Sequence, residues 1–574
     1  MKQRRRLKLP ADLPVFAYLL LYGLLSASFL TRFPFVHSDE AWLAGLSRDM
    51  EAAKNLGITE SFFDLKPRIP HALKLIFHVL QIGYIRIFGY NIQSLRLLSL
   101  TAGLICLFLL CRIGKELGGK WAGAALMVLT SLDTQFIYAS HFARQEILLS
   151  ISLLSCLLIL IKCQGRPSSS QAAGLALITG LSTGIHPNSF LCASLCGCVM
   201  AGPAACSLAS RIRSLRPGGG PRPTDSPLSC TGQRGDRRFW SRVPAGNPLR
   251  LPKAITPLAL YIFLTGALAS LFVGISFHFD PGFFPGYFRY GEQEFELSSR
   301  ASHRISQFLY YLQSIFRQES GTYYLPDLRL ELILMAICAL LLALSWLVLK
   351  TSAEKEAGVW RRRTQVLLLA AAGLGAGMVV IGRYNQTSIL FFLLLGWAGA
   401  VQLFLLFESA GRKTAAWAAL AFLLVSGYTQ IVPWLRLPDY SFYLGQLELL
   451  VPSGARVIAN LNTEFYFDQG VLRDYRNLPY LKEPGALENY IQENKIQYIL
   501  LSDELDYIYG NRPYYNVIYG NASFIKDLKA YCLSSCTVAG SFENPLYGPR
   551  IISLVNDPQH GAVTVYKVED KGLR

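Results

Sequence analysis

The chain has 574 residues, 52% of them hydrophobic, and a formal net charge of +17. Its apolar residues fall in runs of roughly 20, the length that crosses a hydrocarbon core, which excludes an ordinary soluble protein. The positive charge does not describe a nucleic-acid groove, because it is gathered in the leader Lys2 to Lys8 and in the loop 211–253, which carries ten Arg/Lys against two Asp. Basic residues confined to alternate loops mark the cytoplasmic face of a multi-pass membrane protein, and nucleic acid is not an expected partner.

With the basic leader cytoplasmic, Leu13 to Leu30 forms the first span. Thr31-Arg32-Phe33-Pro34 follows, with no small-residue cleavage site, so this is expected to be an uncleaved span rather than a signal peptide. It delivers the acidic pair Asp39-Glu40 into an outer loop, 32–93. Ser38 is a good N-cap, and acids in a first helical turn are favoured by the exposed N–H groups, so capping competes with chemistry for both carboxylates. Lys66 and Arg68 come later in the loop, and His71 to Tyr90, punctuated by Lys74, His78 and Arg86, suits an interfacial helix.

Spans two and three are predicted at 94–111 and 121–137, with Arg112, Lys115 and Lys120 inside. Arg144-Gln145-Glu146 then lies outside, before span four at 147–161; an ion pair at a span end is the competing role for Arg144 and Glu146. Span five, 172–185, reaches the outside at His186-Pro187-Asn188, where His186 could equally cap a turn. Span six returns to a Gly, Pro and Ser-rich basic loop, 207–253, expected to be cytoplasmic. Span seven opens a second outer loop, 278–328, containing Arg300 and Arg304. Spans eight to eleven follow, with Arg383-Tyr384 at an outer end and span eleven at 415–432.

About eleven spans leave residues 434–574 outside, beyond a transmembrane domain of 1–433. Residues 452–460 read as a turn feeding a buried strand, 498–501 and 563–568 as two more strands and 488–494 as a helix, so a small α/β domain is expected. The twelve cysteines show no metal spacing and most lie inside apolar runs, where they act as small hydrophobes. Cys532 and Cys536 in the polar tail are able to pair.

Charges near hydrocarbon are costly unless paired or functional, and the outer span ends collect several. Carboxylates beside Arg and Lys suit a reaction in which a lipid phosphate is held while a neighbouring hydroxyl or amine loses a proton. The acidic pair after the first span resembles the hallmark of GT-C fold membrane glycosyltransferases. Lys66-Pro67, Ile87-Phe88-Gly89, Leu95-Arg96-Leu97, Arg144-Gln145-Glu146 and Gly184-Ile185-His186-Pro187-Asn188 are similar, in order, to segments of the branch holding the protein O-mannosyltransferases and the lipid A aminoarabinose transferases.

The resemblance implies a polyprenyl-phosphate-linked sugar donor, an extracytoplasmic glycan, lipid or protein acceptor, and an inverting displacement. Asp39 would be the base, assisted by Glu40 and Glu146. Lys66, Arg68, Arg144, Arg300 and Arg383 would contact the donor phosphate, with His186 and Tyr384 as further site candidates. Leu65 stands where the aminoarabinose branch has a metal-associated glutamate, so a divalent metal is not favoured. The expected location is the plasma membrane, N-terminus cytoplasmic. A transporter or flippase of lipid-linked saccharides, or a scaffold built on the C-terminal domain, are the competing classes; charges at span ends and the lack of a visible repeat argue against transport.

Overall fold

The computed structural model describes residues 12–66, 68–215, 255–287, 289, 301–317, 324, 326–349, 355–382, 386–409, 421, 425, 429–432, 435–436, 438–503, 505, 523–543 and 562–569. Arg300, Arg383 and Tyr384 lie outside these residues, as does most of the expected eleventh span. The expected polytopic helical architecture is present. Helix α1 spans Leu13–Ala27, α2 Ser38–Ala53, α3 Leu75–Phe88, α4 Ile92–Ser131, α5 Thr134–His141, α6 Glu146–Lys162, α7 Ser169–Ser182, α8 Phe190–Leu215 and α9 Ile255–Phe279. Then come α10 Ala301–Phe316, α11 Arg329–Leu349, α12 Lys355–Ile381 and α13 Ile389–Ser409.

By length and composition six of the described helices can cross a membrane, or seven if α5 and α6, bent by 118°, form one broken span. That tally treats α4 as one helix, yet its backbone breaks at Gly118 and Gly119, where φ reaches −154° and +85°. A Cβ on Gly114 would lie 2.4 Å from the Ala122 carbonyl oxygen and 2.7 Å from Gly123 Cα. In a straight helix residues 114 and 123 would be about 13 Å apart along the axis, so the chain doubles back here. The hairpin separates the second and third predicted spans, and only glycine lets the backbones meet so closely. The third span ends at Ser131 rather than Ile137, because Asp133 caps a new helix by accepting from Phe136 N at 2.8 Å.

Beyond the bundle, α14 (Tyr440–Leu450) precedes a five-stranded sheet: β1 Arg456–Ala459, β2 Val471–Asp474, β3 Tyr498–Ser502, β4 Cys536–Glu543 and β5 Ala562–Val568. The order is β2-β1-β3-β5-β4, with β1 parallel to β2 and β3, and β5 antiparallel to β3 and β4. Helices α15 (Ala486–Glu493) and α16 (Ser523–Ser535) complete this unit. Cys532 and Cys536 lie at the junction of α16 and β4.

The sheet and the loop 32–93 share one apolar core. Phe33, Phe35 and Phe62 pack with Tyr440, Tyr443, Val457, Leu472 and Val565. The loop backbone is stitched to the sheet as well, since Asn477 Nδ2 and Asp474 N both donate to the Phe62 carbonyl. The C-terminal unit therefore lies on the same side of the bundle as Asp39.

Candidate active site

The N-terminus of α2 aims two adjacent carboxylates in different directions. The cap is His37, one residue before the predicted Ser38. Its Nδ1 accepts from Asp39 N at 3.0 Å, while Glu40 Oε2 accepts from His37 N at 3.0 Å. Each side chain thus satisfies a backbone donor that the helix start leaves open. Consecutive helical residues point about 100° apart, so the acids part company.

Glu40 turns inward and is wholly buried with Arg96 of α4. Arg96 Nε and Nη2 reach its two oxygens at 2.8 and 2.7 Å, and Ala143 N donates to Oε1 at 2.8 Å. Arg96 Nη1 completes the brace on the carbonyls of Leu30 and Pro34, at 2.6 and 2.7 Å. Both oxygens of Glu40 are engaged away from solvent, so this carboxylate fastens α2, α4 and the 142–145 turn.

Asp39 keeps 17% of its side chain exposed and pairs with Arg144 through Oδ2. Arg144 Nη2 also reaches Glu146 Oε1 at 3.0 Å, so one guanidinium holds both acids. Glu146 begins α6, where the helix N-terminus favours a negative charge. Its Oε1 accepts from Thr387 Oγ1 at 2.9 Å, whereas its Oε2, also buried, has no hydrogen-bond partner among the described residues. The fold therefore brings Asp39 to Arg144, 105 positions along the chain, and to Glu146 just beyond it.

Arg68 reaches the same corner by stacking. Its guanidinium lies 3.7 Å from the centre of the Trp42 ring and 4.7 Å from that of Phe63. Lys66 points elsewhere, its Nζ 5.0 Å from the Tyr480 ring of the C-terminal unit. His186 caps the turn Pro187–Ser189, its Nδ1 accepting from Asn188 N at 3.1 Å. In the same turn the Gly184 carbonyl accepts from Ile76 N at 2.8 Å and from Phe77 N, closing the N-terminus of α3.

Three residues not singled out for the site belong here. Lys74, immediately before α3, is half-buried, with Nζ 5.5 Å from the Trp42 ring. Among the described residues no carboxylate oxygen lies within 4.0 Å of it. Burial, then the positive field of Arg144, pushes Lys74 down to about 8, opposed by Glu60 and Asp39. Glu60 accepts from Trp42 Nε1 at 2.6 Å and so fixes the indole against which Arg68 stacks. His71, edge-on to Tyr287 at 5.7 Å, is held neutral, driven down to about 3 by burial and then by Lys74 and Arg68. The sequence did carry a signal for Lys74: a lysine at a helix start opposes the dipole and calls for an anion.

Comparisons with known proteins bear on the same region. Residues 74–186 match the family model of dolichyl-phosphate-mannose-protein mannosyltransferases. The matched segment runs from Lys74 to His186 and includes Arg144 and Glu146. The match bears out the resemblance drawn from the sequence. Among curated proteins nothing matches. Among solved structures the chain is similar to ArnT from Cupriavidus metallidurans bound to undecaprenyl phosphate, at 11% identity and a TM-score of 0.47, covering 98% of this chain and 100% of that one. It is also similar to the oligosaccharyltransferase AglB from Archaeoglobus fulgidus in complex with an inhibitory peptide and a dolichol-phosphate, at 12% identity and a TM-score of 0.45, covering 92% of this chain and 73% of that one.

Proposed function

We propose that this protein is a membrane glycosyltransferase that moves a sugar from a polyprenyl-phosphate carrier to an extracytoplasmic acceptor, with inversion. The observation that carries the reading is Lys74: a half-buried cation with no carboxylate within 4.0 Å among the described residues, grouped with Arg68 and Arg144 beside the partly open carboxylate of Asp39. A half-buried cation with no carboxylate at ion-pair distance asks for an anion, and a phosphate diester supplies one. The family model matched over 74–186 makes a polyprenyl-phosphate mannose the first donor to test.

The step balances as follows. The acceptor hydroxyl oxygen, or amine nitrogen, bonds to the anomeric carbon as the bond from that carbon to the phosphate oxygen breaks. Asp39 takes the acceptor proton, and the polyprenyl phosphate leaves with the electron pair, its charge held by Lys74, Arg68 and Arg144. Glu146 positions the acceptor or donor while keeping Arg144 turned toward Asp39. Lys66 is a poorer phosphate contact in this reading, since it lies against Tyr480. His186 and Glu40 act as supports, through the turn that closes α3 and the brace on Arg96.

The positive-inside pattern supports placing α1's start in the cytoplasm, with Asp39 and the sheet outside the plasma membrane. The test uses the full chain in detergent with radiolabelled polyprenyl-phosphate mannose and related lipid-phosphate sugars, scoring transfer to envelope lipids, glycans and proteins. Asp39→Asn, with unchanged expression and thermal midpoint, should abolish transfer. Retained turnover would reject Asp39 as the base.

A further inference from the structure

Away from the outer face, two helices bring three thiols to one point inside the bundle. Cys192 and Cys196 lie one turn apart on α8 and therefore share a face, and Cys156 approaches from α6. All three are buried, and their Sγ atoms lie within 4.8 Å of one another. Thr179 of α7 adds a hydroxyl, its Oγ1 3.8 Å from Cys156 Sγ and 4.0 Å from Cys192 Sγ. Tyr261 of α9 stands behind it, donating to Thr179 Oγ1 at 3.2 Å. The spacing of cysteines along the chain gave no hint of this, because the group forms only when α6 packs on α8.

We propose that Cys156, Cys192 and Cys196 hold a zinc ion, with the Thr179 hydroxyl beside the fourth position. Tetrahedral zinc with sulfur ligands at about 2.3 Å has edges of about 3.8 Å between ligand atoms. The sulfurs need to draw in by no more than about 1 Å to reach that edge, and the Thr179 hydroxyl, 3.8 Å from Cys156 Sγ and 4.0 Å from Cys192 Sγ, stands beside them. Binding releases three thiol protons and leaves Zn²⁺ with three thiolates, a net charge of −1. Copper(I) on the same thiolates would carry −2, which apolar surroundings penalise more heavily. The Tyr261 hydroxyl polarises Thr179 in the manner of an outer-shell partner that orients a ligand. Because Cys156 is ten residues into α6, the site lies about 15 Å along that helix from Glu146, so it ties α6, α7, α8 and α9 together without reaching the outer acids.

The experiment measures metal in the full-length protein purified in detergent from zinc-supplemented cells, by mass spectrometry of the elements. Wild type should carry about one zinc per chain, as a single three-thiolate site requires. The Cys156→Ala/Cys192→Ala/Cys196→Ala variant should carry none. A membrane-permeant zinc chelator should lower the thermal midpoint of wild type and leave that of the variant unchanged. If the triple variant does not fold, Cys156→Ala alone serves, with the same expected loss of zinc. Zinc below about a tenth per chain in wild type, equal zinc in wild type and variant, or copper in its place would overturn the proposal.

Discussion

Arg96 and Glu40 face each other with no exposed surface on either side chain, joined by two hydrogen bonds of 2.8 and 2.7 Å. Neither could be buried alone, since an uncompensated charge in a dry interior costs several kcal/mol. Their pairing fixes where α2 begins relative to α4, and hence where Asp39 points.

Glu40→Gln should therefore act on folding before chemistry. Removing one partner of such a pair costs about 3–5 kcal/mol. Folded protein recovered in detergent, followed by size-exclusion profile and thermal midpoint, should fall sharply. A Glu40→Gln protein of normal stability that has lost only turnover would show instead that Glu40 takes part in the reaction.

Lys74 sets a pH limit. Its pKa is pushed down to about 8, so Nζ is charged below that pH and neutral above it. If the charged form holds the donor phosphate, donor affinity is full well below pH 8 and is lost as pH rises through that value. KM for the lipid-phosphate sugar should climb over this range. Lys74→Arg should move the climb to higher pH, because a guanidinium stays charged, and Lys74→Met should raise KM at all pH values. A flat KM profile in wild type would remove Lys74 from the donor site.

Among the described ion pairs that seat the C-terminal unit, the pairing of Arg48 with Glu464 is the most buried. Arg48 Nη1 reaches Glu464 Oε1 at 2.5 Å, Tyr90 donates to the same oxygen at 3.3 Å, and Glu464 is 1% exposed. Arg48→Ala would leave Glu464, already pushed up to about 8 by burial, to take up a proton and lose its tie to α2. Limited proteolysis should then release a fragment starting near residue 440, several-fold faster than in wild type. Unchanged proteolysis would mean that the shared apolar core of Phe33, Phe35, Phe62 and Tyr443 suffices by itself.

What the sequence determined by itself was whatever depends on local pattern. Runs of apolar residues gave α1 and α6 close to their observed bounds, and short apolar segments in the tail gave β1, β3 and β5, because hydrophobic length and periodicity are properties of contiguous residues. The pairing of Asp39 with Arg144 was within reach as two charged span ends, but not as a contact. Tertiary structure alone decided which of two adjacent acids is buried, since that turned on Arg96 waiting on one side of α2 and Arg144 on the other. It also decided that Lys74 joins the site, that the tail shares a core with the loop 32–93, and that three cysteines converge. Each of these rests on contacts between residues far apart in the chain, whose spacing in space no local pattern encodes.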